Sequence, residues 1–548
     1  MAIFFTSVAA VLAGTSHIKV PSFGTVEANV LENGLVEALG LPFARSPTGE
    51  MRFRPPEPLP AQSEEAVVDG TTYGPVCLQV QNQTQYPIVP MSEDCLTLNV
   101  WAPPGATGLP VLVWIHGGAW VVGSGRLYNG SVLAAQQMVV VTVNYRLGVM
   151  GWLPLQEIAD ENPKAPGNGG AHGLLDQVAA LHWVRQHIRS FGGDPARVTI
   201  AGESAGSLAT CTHLQMPVSQ GLFHQAILES GFCDSPWIWD MNKTKYEERV
   251  PGFFEQANTT TLAGLRQLSP DFFVSSEYFG AFRPIPDGFW LTGNPADLPV
   301  LFHDGAVIVG SNTMDTLAAP PFGPPLDTLS SRLGNSTEYQ AKVAEYFGSS
   351  IFEFYPMPST SEMPSAISDA FFSLQTDVCN SCPKLWQAER MLKRNTTVFA
   401  YEFGFETESE YHGQACHMCE VAAAFGQPAE FLFGDHQIGK YLQTAYSPEL
   451  GERVSALWAG FVKQGRPNGL SGWPAYHSSN GSSLKIGTGT SGQPIFAVAS
   501  GQFQQKCAFF HSFIQQSMSN RLAYEQFCNN GADFKPPVVA HRDSVVLV

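Results

Sequence analysis

The sequence predicts an α/β fold in which helices flank a large, mostly parallel central sheet. Six apolar runs rich in β-branched residues recur between loops, and they begin at Val111, Met138, Val198, Phe223, Val307 and Thr397. Continuous runs of this kind are typical of strands buried on both faces. Between the second and third runs, residues 174–188 have apolar side chains at helical spacing. Strand, helix and strand in this order form the crossover unit of a parallel sheet.

The composition indicates a folded chain and argues against nucleic acid or a membrane as its partner. Of the 548 residues, 44% are hydrophobic and 14% are charged, which is typical of a globular protein. The formal net charge of -18 repels phosphate backbones, so we expect no nucleic acid partner. No segment is apolar for the roughly 20 residues that a membrane helix needs, so we expect no membrane insertion.

The N-terminus and the cysteines indicate export. Residues 1–16, MAIFFTSVAAVLAGTS, resemble a secretory signal with cleavage near Ser16, although a positive residue before the apolar run is missing. Residues 17–548 are then expected to form a single domain. An even count of ten cysteines suits an oxidising compartment. Seven N-x-Ser/Thr sequons begin at Asn82, Asn129, Asn242, Asn258, Asn335, Asn395 and Asn480. We therefore predict a secreted, extracellular protein that carries N-linked glycans.

The third apolar run leads into a candidate nucleophile. It continues as Gly202-Glu203-Ser204-Ala205-Gly206, and the following residues can form a helix. A G-x-S-x-G motif between a strand and a helix forms a sharp turn that exposes the serine hydroxyl above the sheet. The alternative is a serine-glycine turn without chemistry, and the strand-turn-helix context argues against it. The sequence predicts Ser204 as a nucleophile and the N–H of Ala205 as one oxyanion donor.

The first apolar run ends in a second candidate element of the site, His116-Gly117-Gly118-Ala119-Trp120. Small residues there allow backbone N–H groups to approach a developing oxyanion. A structural loop also uses two glycines, so this prediction depends on the presence of Ser204. We expect Gly118 and Ala119 to complete the oxyanion hole with Ala205.

The ordered motifs of the chain resemble the type-B carboxylesterase and cholinesterase family of α/β-hydrolases. The resemblance extends from about residue 20 to about residue 510. It includes SEDCLTLNVW at Ser92, HGGAW at His116, NYRLG at Asn144, HGLLDQVAALHWVRQHIRSFGGDPARVTIAGESAGS at His172 and SGFCDSPW at Ser230. The family implies an α/β-hydrolase fold and ester hydrolysis that requires no metal and no organic cofactor.

The resemblance also implies the remaining catalytic residues. The family acid lies in a G-x-N-x-D-E-G segment, and residues 310–316 place Asp315 where the family usually has Glu. Asp304 and Asp287 are rival acids that fit the strand end less well. The family histidine begins an H-x-x-E motif, and a Phe-Gly pair follows eight residues after the histidine. His417 has both features, with Glu420 and with Phe425-Gly426, whereas the rival His412 does not. Serine, aspartate and histidine then follow the chain order of α/β-hydrolases.

Further roles follow from the same resemblance. Glu203 and Glu420 match buried carboxylates behind the site, and they either tune the histidine or serve as a polar scaffold. Trp237 is a candidate wall of the acyl pocket, with core packing as its alternative. Two structural ion pairs are implied, Arg52 with Glu93 and Arg146 with Asp176.

Some of the ten cysteines have an expected disulfide partner, and the partners of the others stay undetermined. The resemblance implies a disulfide between Cys77 and Cys95. The pairs Cys379-x-x-Cys382 and Cys416-x-x-Cys419 have the spacing of a zinc site, but export favours disulfides between the two pairs. Cys507 and Cys528 are expected to close the C-terminal segment. Cys211 and Cys233 receive no assignment.

We therefore expect a carboxylic-ester hydrolase that acts through a Ser-His-Asp triad and an acyl-enzyme, with a small or medium ester as substrate. An acyltransferase or a hydrolase of a secondary metabolite remains open as an alternative on the same triad. A non-catalytic adhesion protein on this scaffold is a further alternative. Family members of that kind have lost the serine or the histidine, and both residues are present here.

Overall fold

The computed structural model describes residues 12–80, 89–235, 247–315, 335–356, 364–404, 415, 417–428, 447–467, 472–488, 494–501, 504–517, 520–521, 523–524 and 527–528. Its strands are β1 (Leu12–Val20), β2 (Gly24–Leu31), β3 (Val36–Pro42), β4 (Val67–Gly70), β5 (Val76–Cys77), β6 (Met91–Ser92), β7 (Thr97–Ala102), β8 (Leu109–Ile115), β9 (Val139–Val143), β10 (Gly193–Glu203), β11 (Gln225–Glu229), β12 (Ala306–Asn312), β13 (Thr397–Gly404), β14 (Ser483–Thr488) and β15 (Pro494–Ala499).

The helices lie mostly between these strands. They are α1 (Ser131–Ala134), α2 (Gly148–Trp152), α3 (Gln156–Glu161), α4 (His172–His187), α5 (Ala205–His213), α6 (Val250–Gln256), α7 (Leu262–Arg266), α8 (Pro270–Ser275), α9 (Ser336–Phe347), α10 (Pro364–Thr376), α11 (Cys382–Leu392), α12 (Cys419–Phe425), α13 (Pro448–Gln464) and α14 (Gln504–Gln516). A π-helical turn, Asp377–Ser381, joins α10 to α11. Within the described ranges, no helix is long and apolar enough to cross a bilayer.

One large sheet of 13 strands carries the fold. Its order is β1-β2-β3-β7-β9-β8-β10-β11-β12-β13-β14-β15, and β4 pairs with β2. Seven neighbouring strands are parallel, in the order β9, β8, β10, β11, β12, β13 and β14. The pairings at both ends of this parallel set are antiparallel, and β4 pairs with β2 in parallel. The six predicted runs are the strands β8 to β13, and α4 is the predicted helix. The predicted α/β-hydrolase architecture is confirmed.

The central strands are buried on both faces. Each of them contributes side chains to two hydrophobic clusters, one on each face of the sheet. Val111, Val113 and Ile115 of β8 belong to one cluster, whereas Leu112 and Trp114 belong to the other. Alternate side chains of a strand point to opposite faces of its sheet. Helices therefore have to cover both faces, and the uninterrupted apolar runs of the sequence reflect this requirement.

The parallel pairing brings the functional segments to one edge of the sheet. Glu203, the last residue of β10, pairs with Glu229, the last residue of β11. Glu229 pairs in turn with Gly310 near the end of β12. Since ligand sites of open α/β sheets form at the carboxyl ends of the strands, this edge is where a site is expected.

The disulfides differ in part from the expectation. Cys77 and Cys95 form a disulfide, as the resemblance implied. Cys379 bonds to Cys528 and Cys382 bonds to Cys507. The expected bridges from Cys379 and Cys382 to the Cys416-x-x-Cys419 pair are therefore wrong, and so is a bridge between Cys507 and Cys528 that closes the C-terminal segment on itself. The physical reason is that α14, which carries Cys507, packs against both α11 and the π-helical turn before it, and these segments carry Cys382 and Cys379. The unassigned Cys211 and Cys233 also form a bridge. Cys419 is disulfide-bonded, and Cys416 lies outside the described residues.

Two ion pairs implied by the resemblance are present and buried. Arg52 and Glu93 approach to 2.6 Å, and Arg146 and Asp176 approach to 2.7 Å. Arg146 donates to Asp176 through Nε, Nη2 and its backbone N–H. Both pairs join segments that are distant in sequence, which is consistent with a structural role.

Candidate active site

Ser204 lies at the turn between β10 and α5. Its φ of 56° and ψ of -124° are unusual for a residue with a side chain, and such backbone strain is concentrated at functional sites. Its N–H donates to the carbonyl of Glu229 at the end of the neighbouring strand. The serine is partly exposed, whereas Glu203 and Ala205 on either side of it are buried. The turn thus presents a single hydroxyl above the edge of the sheet.

The glycines of the G-x-S-x-G motif are required by close backbone approach. A Cβ on Gly206 would lie 2.0 Å from the carbonyl oxygen of Ile115, and one on Gly202 would lie 2.6 Å from the same atom. Ile115 is the last residue of β8, directly before the His116–Trp120 loop. The absence of side chains at these two positions allows the serine turn and the candidate oxyanion loop to lie against each other.

The candidate oxyanion loop is held in an unusual backbone conformation. Gly118, Ala119 and Trp120 have φ values of 106°, 52° and 68°. The ring of His116 stacks on Tyr145 at 4.3 Å, and the Tyr145 hydroxyl donates to the His116 carbonyl at 2.8 Å. Burial lowers the pKa of His116 to about 4, so this ring is neutral at ordinary pH. The start of the loop is therefore held by contacts within the protein.

This loop also lies next to the serine. A Cβ added to Gly117 would meet the Cβ of Ser204 at 3.2 Å and the carbonyl oxygen of Glu203 at 2.8 Å. The following N–H groups belong to Gly118 and Ala119. Ala205, the other predicted donor, is the first residue of α5. All three predicted donors thus belong to segments that adjoin Ser204.

Asp315 and His417 are brought together by the turn after β12 and the turn before α12. Nδ1 of His417 lies 2.8 Å from Oδ1 of Asp315, and the other Asp315 oxygen accepts from the N–H of Asn312 at 3.1 Å. Asp315 is buried, whereas the His417 side chain is 18% exposed. A carboxylate oxygen accepts hydrogen bonds, so Nδ1 of His417 is the donor in this contact.

The segment before His417 is docked on the segment that carries Asp315. The N–H of Met314 donates to the carbonyl of Ala415 at 2.9 Å, and the N–H of Ala415 donates to Oγ1 of Thr313 at 3.2 Å. Reciprocal hydrogen bonds of this kind fix the histidine relative to the aspartate. Asp315, with its shorter side chain, therefore still reaches the imidazole.

Glu203 faces the other nitrogen of His417. Its Oε1 lies 3.2 Å from Nε2, although neither Glu203 oxygen has an aligned hydrogen bond among the described residues. Burial raises the pKa of Glu203 well above its usual range, and the carboxyls of Glu420 and Asp315 raise it further, against the opposing charge of His417. Glu203 and His417 therefore compete for a proton at the centre of the site.

The carboxylates around His417 also change the pKa of its imidazole. Burial alone would lower this pKa, but Glu203, Asp315 and Glu420 together raise it to about 10. Glu420 accepts hydrogen bonds from Oγ of Ser230 at 2.8 Å and from Nδ2 of Asn312 at 2.6 Å. Burial and the charge of Asp315 raise the pKa of Glu420 to about 7 despite these bonds. Both glutamates therefore lie beside His417, and Glu420 also holds Ser230 and Asn312, so their positions fit the electrostatic and the scaffold interpretations alike.

The residues that support this cluster were not predicted from the sequence. Glu229 supplies the carbonyl that holds the Ser204 N–H, and its own carboxyl accepts from Nε1 of Trp458 at 2.7 Å. Ser230 and Asn312 hold Glu420. Glu229 and Asn312 are the last residues of their strands, and Ser230 follows Glu229 directly. Polar residues at the carboxyl ends of buried strands were the available signal.

The rival candidates lie elsewhere or outside the described residues. Asp304 is exposed and bonds His303 and Asn395, whereas Asp287 accepts from the N–H groups of residues 289–291. Neither aspartate contacts His417 in the part of the chain that the structure describes. His412, the rival histidine, and Trp237, the acyl-pocket candidate, fall outside that part.

Comparison with known proteins identifies relatives along nearly the whole chain. The carboxylesterase family model matches residues 16–510. A cocaine esterase from Oryctolagus cuniculus is 34% identical over 473 residues, which cover 81% of this chain and 86% of the relative. The para-nitrobenzyl esterase of Bacillus subtilis (strain 168) is 31% identical over 497 residues, which cover 86% and 94% respectively. A solved structure of a thermophilic PNB esterase has a TM-score of 0.70 and 28% identity, and covers 90% of this chain and 99% of its own.

Proposed function

Because the chain belongs to the carboxylesterase family and is a carboxylic-ester hydrolase, we propose that it acts through a triad of Ser204, His417 and Asp315. The observation that carries this proposal is the 2.8 Å contact between Asp315 and Nδ1 of His417. The same imidazole turns Nε2 towards Glu203, the residue directly before Ser204. The nitrogen that has to accept the serine proton therefore faces the segment that carries the serine.

In the proposed mechanism, His417 accepts the Ser204 proton as the hydroxyl oxygen attacks the ester carbonyl. Asp315 holds the imidazole tautomer and stabilises the imidazolium that forms. The N–H groups of Gly118, Ala119 and Ala205 bind the oxyanion, and each such donor is worth about 3–4 kcal/mol of transition-state stabilisation. The imidazolium then protonates the leaving alcohol, and an acyl-enzyme remains on Ser204. Water repeats the sequence and releases the acid, so every step uses groups of this chain.

We expect activity to rise with pH, with a midpoint above 6.5, the usual pKa of histidine. Only the neutral imidazole accepts the serine proton, and the surrounding carboxylates raise the pKa of His417, so the inactive imidazolium persists to higher pH. Replacing Glu203 with Gln removes the nearest of the raising charges. The acid limb of kcat/KM should then move to lower pH by about one unit.

The matched control for this measurement is Glu229→Gln. Glu229 is also buried, and its pKa is also raised by burial, but its carboxyl is held by Trp458. We expect a smaller displacement of the acid limb in this variant. An acid limb that stays in place in Glu203→Gln would contradict the proposed coupling between Glu203 and His417.

We further propose that the substrates are soluble esters of small or medium size. The loop between Cys77 and Cys95 has only 17 residues, and its stretch QVQNQTQ is polar, so it offers little apolar surface to a lipid droplet. Gln85 stands where cholinesterases have a tryptophan that binds quaternary ammonium through its ring. Gln85 lies outside the described residues, and its neighbour Tyr86 is the remaining aromatic residue at that place.

Initial rates on four esters test this substrate range. We expect p-nitrophenyl butyrate to be hydrolysed faster than p-nitrophenyl palmitate, and butyrylthiocholine and emulsified triolein to be poor substrates. A preference for the choline ester would indicate a cholinesterase-like site. A jump in rate as a triglyceride passes its solubility limit would indicate an interfacial lipase.

We also propose that the chain is secreted and glycosylated as one domain of residues 17–548 after removal of residues 1–16, which would leave residues 17–20 of β1 paired with β2. The match of the family model to residues 16–510 supports the domain, and the four described disulfides support an oxidising compartment. Four sequon asparagines are exposed, namely Asn258, Asn335, Asn395 and Asn480. The mass of protein collected from a eukaryotic culture medium, before and after deglycosylation, measures both modifications.

A further inference from the structure

Lys384, near the start of α11, is a buried lysine that the proposed mechanism does not use. Only 3% of the residue is exposed. Its Nζ donates to Oγ of Ser311 at 2.7 Å and to the carbonyl of Tyr401 at 3.1 Å. Removing an ammonium group from water is unfavourable unless polar or negatively charged groups compensate for the lost hydration. The groups around Nζ therefore show which parts of the site interact with this buried charge.

The two acceptors lie on adjacent strands at the functional edge of the sheet. Ser311 belongs to β12 and Tyr401 to β13, where Tyr401 pairs with Gly310. Lys384 thus bonds to both strands, next to the carboxyl end of β12 and at the middle of β13. Beyond Ser311, the chain enters the turn that carries the proposed catalytic acid.

The residue after Ser311 connects these bonds to the catalytic groups. The N–H of Asn312 donates to Asp315 at 3.1 Å, and its side-chain amide donates to Glu420 at 2.6 Å. A displacement of the β12 end would therefore move the support of both carboxyls. Asp315 in turn holds His417.

The charges around Lys384 are mainly negative. Burial lowers the pKa of its ammonium group, whereas the carboxylates of Glu402, Asp315 and Asp377 raise it and Lys485 of β14 opposes them. Glu402 has Lys485 as a partner at 3.3 Å, and Asp377 has Lys506 of α14 at 3.2 Å. Asp315 makes its described ion pair with His417 alone. Of these three carboxylates, Asp315 is the one that belongs to the proposed triad, and it lies four residues beyond Ser311, to which Lys384 donates.

We propose that Lys384 is a positioning residue, which fixes the strand end that carries Asp315 and supplies a buried positive charge to the carboxylates around His417. This inference rests on the proposed triad. It assigns two separable effects to one side chain, a mechanical one through Ser311 and Tyr401 and an electrostatic one that disfavours the imidazolium.

The two effects are separated by two substitutions, with pH profiles of kcat and KM as the readout. Lys384→Gln keeps hydrogen-bond donors but removes the charge, so the acid limb should move to higher pH by about half a unit to one unit. Lys384→Met removes donors and charge. We expect the same displacement together with a kcat about ten-fold lower on the alkaline plateau and a nearly unchanged KM, because a misplaced Asp315 weakens the transition state rather than ester binding.

Two further variants and a folding control complete the experiment. Ser311→Ala keeps the ammonium but loses one acceptor, so its plateau should fall while its acid limb stays in place. Lys19→Gln removes an exposed lysine of β1, at the far end of the sheet from β12 and β13, and should change neither quantity. Thermal unfolding of each variant identifies loss of fold, and Ser311→Ala still tests the mechanical effect if both Lys384 variants fail to fold.

The outcomes distinguish this inference from the proposed function. Acid limbs of Lys384→Gln and Lys384→Met that coincide with that of the parent protein would overturn the electrostatic role. An unchanged plateau in Ser311→Ala would overturn the mechanical role. Activity that persists in Ser204→Ala would instead remove the triad on which both depend.

Discussion

Replacing Ser204 with alanine is expected to abolish ester hydrolysis and labelling by a fluorophosphonate probe. The substitution removes the only hydroxyl at the strained turn between β10 and α5 and leaves the backbone of the turn in place. Serine hydrolases that lose their nucleophile retain only the contribution of the oxyanion hole and of binding, so kcat should fall by about 10⁴–10⁶-fold. Hydrolysis rates and probe labelling of the purified variant measure the loss.

Ser207→Ala is the matched control for this experiment. Ser207 follows three residues later in α5, and its buried hydroxyl donates to the carbonyl of Gly231. Its loss should leave labelling intact, and any decrease in activity should follow a decrease in stability. Labelling that survives in Ser204→Ala and disappears in Ser207→Ala would reverse the assignment of the nucleophile.

Replacing Arg146 with methionine is expected to lower the free energy of unfolding by about 3–5 kcal/mol, a large part of the total stability of a folded protein. Arg146 is buried with Asp176, which accepts two of its guanidinium N–H groups and its backbone N–H. Without the guanidinium, the Asp176 carboxylate is left buried without its cation. The midpoint of denaturant unfolding measures the effect.

Arg54→Met provides the comparison for this prediction. Arg54 pairs with Glu161 at 3.3 Å, and about a third of each side chain is exposed. Exposed pairs contribute about 1 kcal/mol or less, because water solvates both charges when the pair is broken. Equal losses of stability in Arg146→Met and Arg54→Met would contradict the assignment of the Arg146–Asp176 pair as a buried structural element.

The sequence was most informative where one local pattern determines one structure. The strands β8 to β13 were predictable because burial on both faces requires continuous apolar runs. The serine turn was recognisable because the backbone at the end of β8 approaches so closely that only glycine fits at residues 202 and 206. The acid and the histidine have no such local signature, and only the family resemblance connects two residues about a hundred positions apart.

The remaining features depend on contacts that spacing does not encode. A Cys-x-x-Cys pattern is equally compatible with zinc, with a bridge between the pairs and with bridges to a distant segment. The choice is made by which helix packs on α11. In the same way, nothing local identifies Lys384 as buried, because its position becomes the interior only when β12 and β13 form beside each other.

The bridges that join α11 to the C-terminal segment also affect the unfolded chain. Cys382 and Cys507 close a loop of 125 residues, and Cys379 and Cys528 close one of 149 residues. Once the first has formed, the second closes only the 24 residues by which these loops differ. In the chain-entropy model the first bridge then contributes about 5 kcal/mol and the second about 3 kcal/mol. In this model the bridges stabilise the fold by reducing the entropy of the denatured ensemble. Because the bridges are covalent, the end of the chain also stays tethered when its native packing opens.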